Sequence, residues 1–315
     1  MSESADEVLF RTARLAYHSL LKQTVLRLDK GVLSNADGNS KTSKAIALGI
    51  AKRIGLNTSG VKLKGQTAGK EFEIATASFI RDTFLRLQHL RPGDWIVEKI
   101  GGKLKDDERP VKKKKETQKD FKPLIKIAQF EQYRHLIAIA KAASENLDLA
   151  ASLGSDYIIK PDIVIFRRLV SDEVINSPIP LVDDTVALMS SLRKRNGGAA
   201  LLHASVSCKL TIRSDRSQNS RSEALNLIRN RRGKLPHVVV VTAEPMPSRI
   251  ASVALGGGDI DCVYHFALPE LRETIGRHSG SCRVSDSISA SGPVPESTST
   301  ITFHSTEVCT ACHTR

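Results

Sequence analysis

Three groups in this sequence have the residue types and spacing for chemistry on a phosphate ester. Asp162 directly follows Pro161 at the head of an apolar run, Lys209 closes a Ser207-Cys208-Lys209 triplet 47 residues later, and Glu223 follows Lys209 by 14. On a strand, residues two apart share a face, so Ser207 and Lys209 point the same way and Cys208 to the other side. An acid, a second acid and a lysine meeting at one point suit metal-assisted phosphodiester hydrolysis. Carboxylates hold Mg²⁺, a hard cation that takes oxygen ligands. The ion acidifies a bound water and offsets charge on the scissile phosphate. A lysine orients or helps to deprotonate that water and stabilises the transition state. Taken singly, each residue has a plainer reading: Asp162 as a strand-end cap, Lys209 as a snorkelling lysine.

These side chains need a sheet and a helix to hold them. The runs YIIKPDIVIF at 157–166, AALLHASVSCKLTI at 199–212, HVVVVT at 237–242 and IDCVYHF at 260–266 read as strands. Pro161 suits an edge, a bend or a functional site better than a central strand. Residues 217–232 read as a helix with Ala224, Leu225 and Ile228 facing inward, stopped by Gly233. Upstream, helical periodicity covers 6–28, then a segment capped by Ser40 or Thr42 and stopped by Gly55, then 67–90 with Phe72, Ala75, Phe79 and Phe84 on its apolar side. Trp95 and Val97 mark a short strand, and 130–153 reads as one more helix ending at Gly154. Strands alternating with helices predict an α/β fold with a central mixed β-sheet flanked by helices.

The charge points to a polyanion. The chain has 315 residues and a net charge of +13, and residues 193–234 hold eleven Lys or Arg against Asp215 and Glu223 alone. Nucleic acid is the first partner this suggests and a membrane surface the second. Lys112 to Lys115 form a second basic block, read as a solvated loop. No stretch approaches the roughly 20 apolar residues that span a bilayer, and the acidic start Met1-Ser-Glu-Ser-Ala-Asp-Glu7 is unlike an export signal. Five cysteines suit a reducing cytoplasm rather than a disulfide framework. From 279 onward, 15 of 37 residues are Ser or Thr, which reads as a disordered tail. The tail's Cys309-Thr-Ala-Cys312-His313 matches a haem-attachment pattern, but attachment needs export and a folded pocket, so no haem is expected.

The run from Val206 to His237, with the spacing of Pro161-Asp162 to Lys209 and the stretch Gly65-Gln-Thr-Ala-Gly-Lys-Glu-Phe-Glu73, closely resembles the NgoMIV-type Type II restriction endonucleases. These belong to the PD-(D/E)xK superfamily, in the branch that reads CCGG cores. The resemblance spans residues 6–276, excludes the tail and makes the Lys-rich 103–122 segment an insertion. Ser207 stands where most superfamily members place an acid, and the resemblance implies that Glu223 supplies that carboxylate from the helix. It also implies a glutamate from an N-terminal helix, with Glu73 a better candidate than Glu71. The implied metal ligands are Asp162, Glu223 and the backbone carbonyl of Cys208.

Base readers come from the same resemblance. Arg213-Ser214-Asp215-Arg216 offers two guanidiniums for guanine and a carboxylate for cytosine N4. Alone, the tetrad could equally be an ion pair within a helix; the resemblance makes it the reader of a CCGG core. Arg249 matches a reader of the outer pair, Gln66 a minor-groove contact, and Asn39 or Ser40 lies near another outer-pair position. The expectation is one restriction-endonuclease-like domain over 1–278 and a tail over 279–315. Its expected activity is Mg²⁺-dependent cleavage of double-stranded DNA at a CCGG-core palindrome, GCCGGC, by a homotetramer built as a dimer of dimers in a bacterial cytoplasm, with no membrane partner. The alternatives are a repair or mobile-element nuclease of the same fold with relaxed specificity, and a non-cleaving DNA-binding protein. Retention of Asp162, Lys209 and Glu223 together counts against the latter, since backbone binding needs only positive charge.

Overall fold

The computed structural model describes residues 8–56, 60–61, 63–100, 126–146, 148, 151, 159–212, 214–255 and 257–278. The Lys-rich segment 103–122 and the tail 279–315 lie outside the described residues. Five strands form one mixed sheet: β3 (Trp95–Lys99), β4 (Ile163–Arg167), β5 (Leu201–Lys209), β6 (His237–Thr242) and β7 (Cys262–His265), in that spatial order. A separate hairpin pairs β1 (Leu28–Asp29) with β2 (Val32–Leu33). Within the sheet, β3, β4 and β5 run antiparallel; β5, β6 and β7 run parallel. The parallel half needs crossovers, which α6 (Ser214–Asn230) and α7 (Pro247–Ala254) supply.

Alternation assigns each side chain a face. In register, Lys99 lies opposite Ile163, Ile163 opposite Val206, and Ser207 opposite Val240. Val97, Ile163, Val206 and Cys208 are buried on the face covered by α3 (Gly65–Phe84), against which α1 (Leu9–Thr24) packs. Ser205, Ser207, Val238 and Val240 turn to the other face and meet Glu223, Ala224 and Leu227 of α6. Between β4 and β5 the register jumps from Ile165↔Ala204 to Phe166↔Leu202, leaving His203 as a bulged extra residue. The ring of His203 then sits between those of Trp95 and His237, at 4.9 and 5.0 Å.

Several elements differ from their sequence expectation. The first helix stops at Thr24 rather than 28, because Lys30 and Gly31 take positive φ angles of 47° and 77° and turn the chain into the β1–β2 hairpin. The expected helix over 130–153 is broken. Short 3₁₀ turns at Lys126–Gln129 and Glu131–Tyr133 precede α4 (Leu136–Glu145). Gln132 explains the break: its amide donates to Leu202 O at 2.8 Å and accepts from Leu202 N at 3.1 Å, stitching the turn to β5. Tyr133 adds a hydroxyl bond to Leu227 O of α6. The strand expected from 157 begins at Ile163, and 157 and 158 lie outside the described residues.

Residues 168–200 make a long excursion from the sheet, with α5 (Asp172–Ile175) at its start. It folds around one buried cation: the Arg193 side chain is 1% exposed, pairs with both oxygens of Asp172 at 2.7 and 2.8 Å, and donates to the carbonyls of Asp183 and Val186. Two more helices, α2 (Lys41–Arg53) and α8 (Leu268–His278), pack on each other, with Gly49 against Thr274. Among the described residues no helix is long and apolar enough to cross a membrane.

Candidate active site

The site forms where β5 ends. Asp162 lies one residue before β4, and the backbone N–H of Cys208 donates to its Oδ2 at 2.8 Å, so the strand pair itself aims this carboxylate. Lys209 Nζ lies 4.0 Å from Asp162 Oδ2 and 3.8 Å from Glu223 Oε2. Ser207, on the face of Lys209, approaches Glu223 Oε2 with its hydroxyl at 3.4 Å. The backbone of Lys209 is fixed in turn, its carbonyl accepting from Thr242 Oγ1 at 2.7 Å. Cys208 points to the opposite, buried face, where desolvation first and the charges of Asp162 and Glu73 next push its thiol well above its ordinary range. It is an inert core sulfur whose contribution here is backbone.

Electrostatics at this end favour a cation. Burial pushes the Glu223 carboxyl up; Lys209 opposes that, and the nearby Asp162 charge adds to it. A divalent ion between the two acids would relieve both penalties. Among the described residues no group of three or more His, Cys, Asp or Glu side chains converges, so a resident ion would draw further ligands from backbone carbonyl and water. That donor set, all oxygen, fits a hard cation.

Glu73 reaches the same end of the sheet from the α3 side and pairs with Lys99 at 2.5 Å. The next residue, Ile100, donates its N–H to Asp162 O at 2.9 Å, which brings Glu73 close to the site backbone. Glu71 has no comparable tie to this end among the contacts of the described residues.

Arg213 lies outside the described residues, as do the side chains of Asp215 and Arg216, whose backbone forms the first turn of α6 directly beyond Lys209. Gln66 is exposed in the first turn of α3. Ser40 is the N-cap of α2, its hydroxyl accepting from Ser43 N at 3.2 Å, and Asn39 is exposed beside it. Arg249, early in α7, pairs with Asp37 Oδ2 at 2.6 Å and lies 3.7 Å from Glu244 Oε1.

Asp37 and Glu244 were not singled out from sequence. Asp37 sits in Asn35-Ala-Asp37-Gly-Asn39, which reads as turn punctuation. Glu244 had one available signal, an acid just past the carboxyl end of a parallel strand, where α/β sheets place functional groups. Burial pushes its carboxyl up, while the N–H groups of Ile212 and Met246 and the charge of Arg249 pull it back.

The sequence as a whole matches one family of restriction enzymes. The model of the NgoMIV restriction enzyme family matches residues 17–280. A Type II restriction enzyme, NgoMIV of Neisseria gonorrhoeae, is 50% identical over 269 residues, covering 85% of this chain and 87% of that protein. Among solved structures, the Type IIF restriction endonuclease Bse634I with cognate DNA covers 83% of this chain and 91% of its own at 13% identity and a TM-score of 0.38. Bse634I restriction endonuclease is similar over 71% and 79%, at 15% identity and a TM-score of 0.31.

Proposed function

The chain belongs to the NgoMIV restriction enzyme family and is a Type II site-specific endonuclease acting on DNA, and from that premise we propose that it is Mg²⁺-dependent, cuts at GCCGGC and uses Asp162, Lys209 and Glu223 as its catalytic set. The observation that carries the reading is the convergence of both carboxylates within 4.0 Å of one ammonium at the end of β5.

In this reading Asp162, Glu223 and the Cys208 carbonyl would hold Mg²⁺, which when bound would acidify water and offset phosphate charge. Lys209 places its ammonium beside the attacking water and the phosphate oxygen that gains charge. The attacking water gives up a proton to solvent as its oxygen bonds to phosphorus, the phosphorus–oxygen bond to the leaving group breaks, and the leaving oxygen takes a proton from solvent to become the alcohol. Ser207 keeps Glu223 turned inward through its hydroxyl contact. Glu73, paired with Lys99, supplies a third acid on the opposite side of the sheet end.

Recognition is assigned to Arg213, Asp215 and Arg216 for the CCGG core, with Arg249 for the outer pair and Gln66 and Ser40 beside it. The donors of Arg match guanine O6 and N7, and a carboxylate matches cytosine N4. The proposed assembly is a homotetramer in a bacterial cytoplasm. The excursion at 168–200 offers a surface for one subunit contact, since its Val174, Ile179, Leu181 and Met189 are largely exposed. The deciding experiment is digestion of a plasmid of known sequence with Mg²⁺, followed by sequencing of the cut ends. Ends mapping only to GCCGGC bear the reading out; ends scattered over unrelated sequences overturn its specificity.

A further inference from the structure

One buried carboxylate ties together the two segments assigned to base reading. Glu244 is 1% exposed, and its two oxygens are used separately. Oε2 accepts from Ile212 N at 2.8 Å, the last described backbone group before Arg213. Oε1 accepts from Met246 N at 3.1 Å and faces Arg249 Nη1 at 3.7 Å. The neighbouring residue extends the junction, since Ala243 O accepts from the buried Asn35 amide at 2.7 Å, which anchors the loop that presents Asp37 to Arg249. On the other side, Glu244 N donates to Thr242 Oγ1 at 3.1 Å, and the same hydroxyl donates to Lys209 O. Burying a carboxylate is costly unless its lone pairs are satisfied. A backbone cap of one loop would need only one of these partners, whereas the Glu244 carboxylate ties the backbone at Ile212 to the start of α7.

We propose that Glu244 is a positioning residue for sequence discrimination, holding the backbone ahead of residues 213–216 and the guanidinium of Arg249 in a single frame so that inner and outer base pairs are read in one register. The inference rests on the assignment of Arg213 and Arg249 as readers made above. It follows that disturbing Glu244 loosens both readings at once, although this side chain is too buried to touch a base.

The test takes wild type, Glu244→Gln, Arg249→Ala and the double variant, all as full chains. Cleavage is measured on the site mapped from wild-type cut ends and on duplexes differing from it by one base pair, inner or outer. Gln has one acceptor oxygen where Glu has two, so either Ile212 N or Met246 N loses its partner and Arg249 loses a charge. The kcat/KM ratio between the mapped site and its variants is expected to fall at least ~10-fold at inner and outer pairs together. In the Arg249→Ala background, Glu244→Gln should add little further loss at the outer pair while still relaxing the inner pairs. The thermal midpoint is read in parallel, because a purely structural carboxylate lowers the midpoint and leaves the ratio alone. A wild-type ratio in Glu244→Gln, with Arg249→Ala relaxed, overturns this inference alone. An unrelaxed Arg249→Ala overturns the reading of Arg249 on which it rests. Where Glu244→Gln fails to fold, Glu244→Asp keeps the charge but is one methylene too short to span both N–H groups; wild-type discrimination in that variant overturns the inference equally.

Discussion

The contact between Arg249 and Asp37, 2.6 Å long, orients the guanidinium proposed to read the outer base pair. Pre-orientation lowers the side-chain entropy lost on binding, which for a long arginine is a real fraction of a contact's worth. A bidentate arginine–guanine contact contributes about 1–3 kcal/mol of discrimination. Arg249→Ala is therefore expected to relax the outer base pair by roughly 5- to 150-fold while the CCGG core stays strict. Matched duplexes carrying GCCGGC and ACCGGT, cut by wild type and variant, measure this. Equal cutting of both by wild type would remove Arg249 from the outer pair. The residues proposed to carry chemistry were legible because their types are scarce in such places: an acid after proline ahead of an apolar run, a lysine ending a strand, a glutamate on the next helix. Asp37 and Glu244 were not, since each matters through its partner, and neither Arg249 nor Ile212 is its neighbour in sequence.

At the scale of elements, contacts between helices are tight enough to be tested by one atom. A Cβ added at Gly49 on α2 would lie 2.3 Å from Thr274 Cγ2 on α8, and the threonine is held by its hydroxyl bond to Glu270 O. Gly49→Ala is expected to destabilise the fold by about 1–3 kcal/mol through overpacking, despite alanine's better helix propensity. Chemical denaturation of Gly49→Ala, and of Gly49→Ala with Thr274→Ser, reads this out. Removing Cγ2 should return part of the loss, and an unchanged midpoint in the single variant would contradict the packing. The core strands were readable because β-branched runs such as HVVVVT carry their own signal. The β1–β2 hairpin is two residues per strand, too short for any period to show. The turn at 131–133 was hidden by an apolar pattern that helix and buried connector share, and Gln132 reaching Leu202 and Tyr133 reaching Leu227 separate them. The helices α7 and α8 went unread for different reasons: α7 has eight residues, and α8 spends most of its length on polar ones.

The whole molecule responds to pH through histidines that its core keeps neutral. Burial lowers His265 to about 4 and His203 to about 3, and Arg91 points its guanidinium at the Nε2 of His203 from 2.7 Å, which leaves that nitrogen as the acceptor. Unfolded, both titrate near 6.5, so between that pH and the folded values the unfolded chain binds more protons. Stability is then full above about pH 6.5 and falls as the pH drops toward 4, by up to about 1.4 kcal/mol per unit for each histidine. Urea midpoints measured from pH 7.5 to 4.5 should decline, and His265→Asn should flatten the slope; a flat wild-type profile would contradict neutral burial. Recognition and cleavage are proposed to occupy separate parts of one molecule, with the core readers just beyond β5, the outer-pair reader on α7 and the catalytic set at the end of β5. Lys209→Ala tests that separation most directly, in single-turnover cleavage of a GCCGGC duplex with Mg²⁺ alongside binding to the same duplex. The expected result is specific binding retained with cleavage at least ~100-fold slower, in line with loss of one transition-state donor; cutting at near wild-type rate would show that Lys209 and its two carboxylates are not the catalytic set.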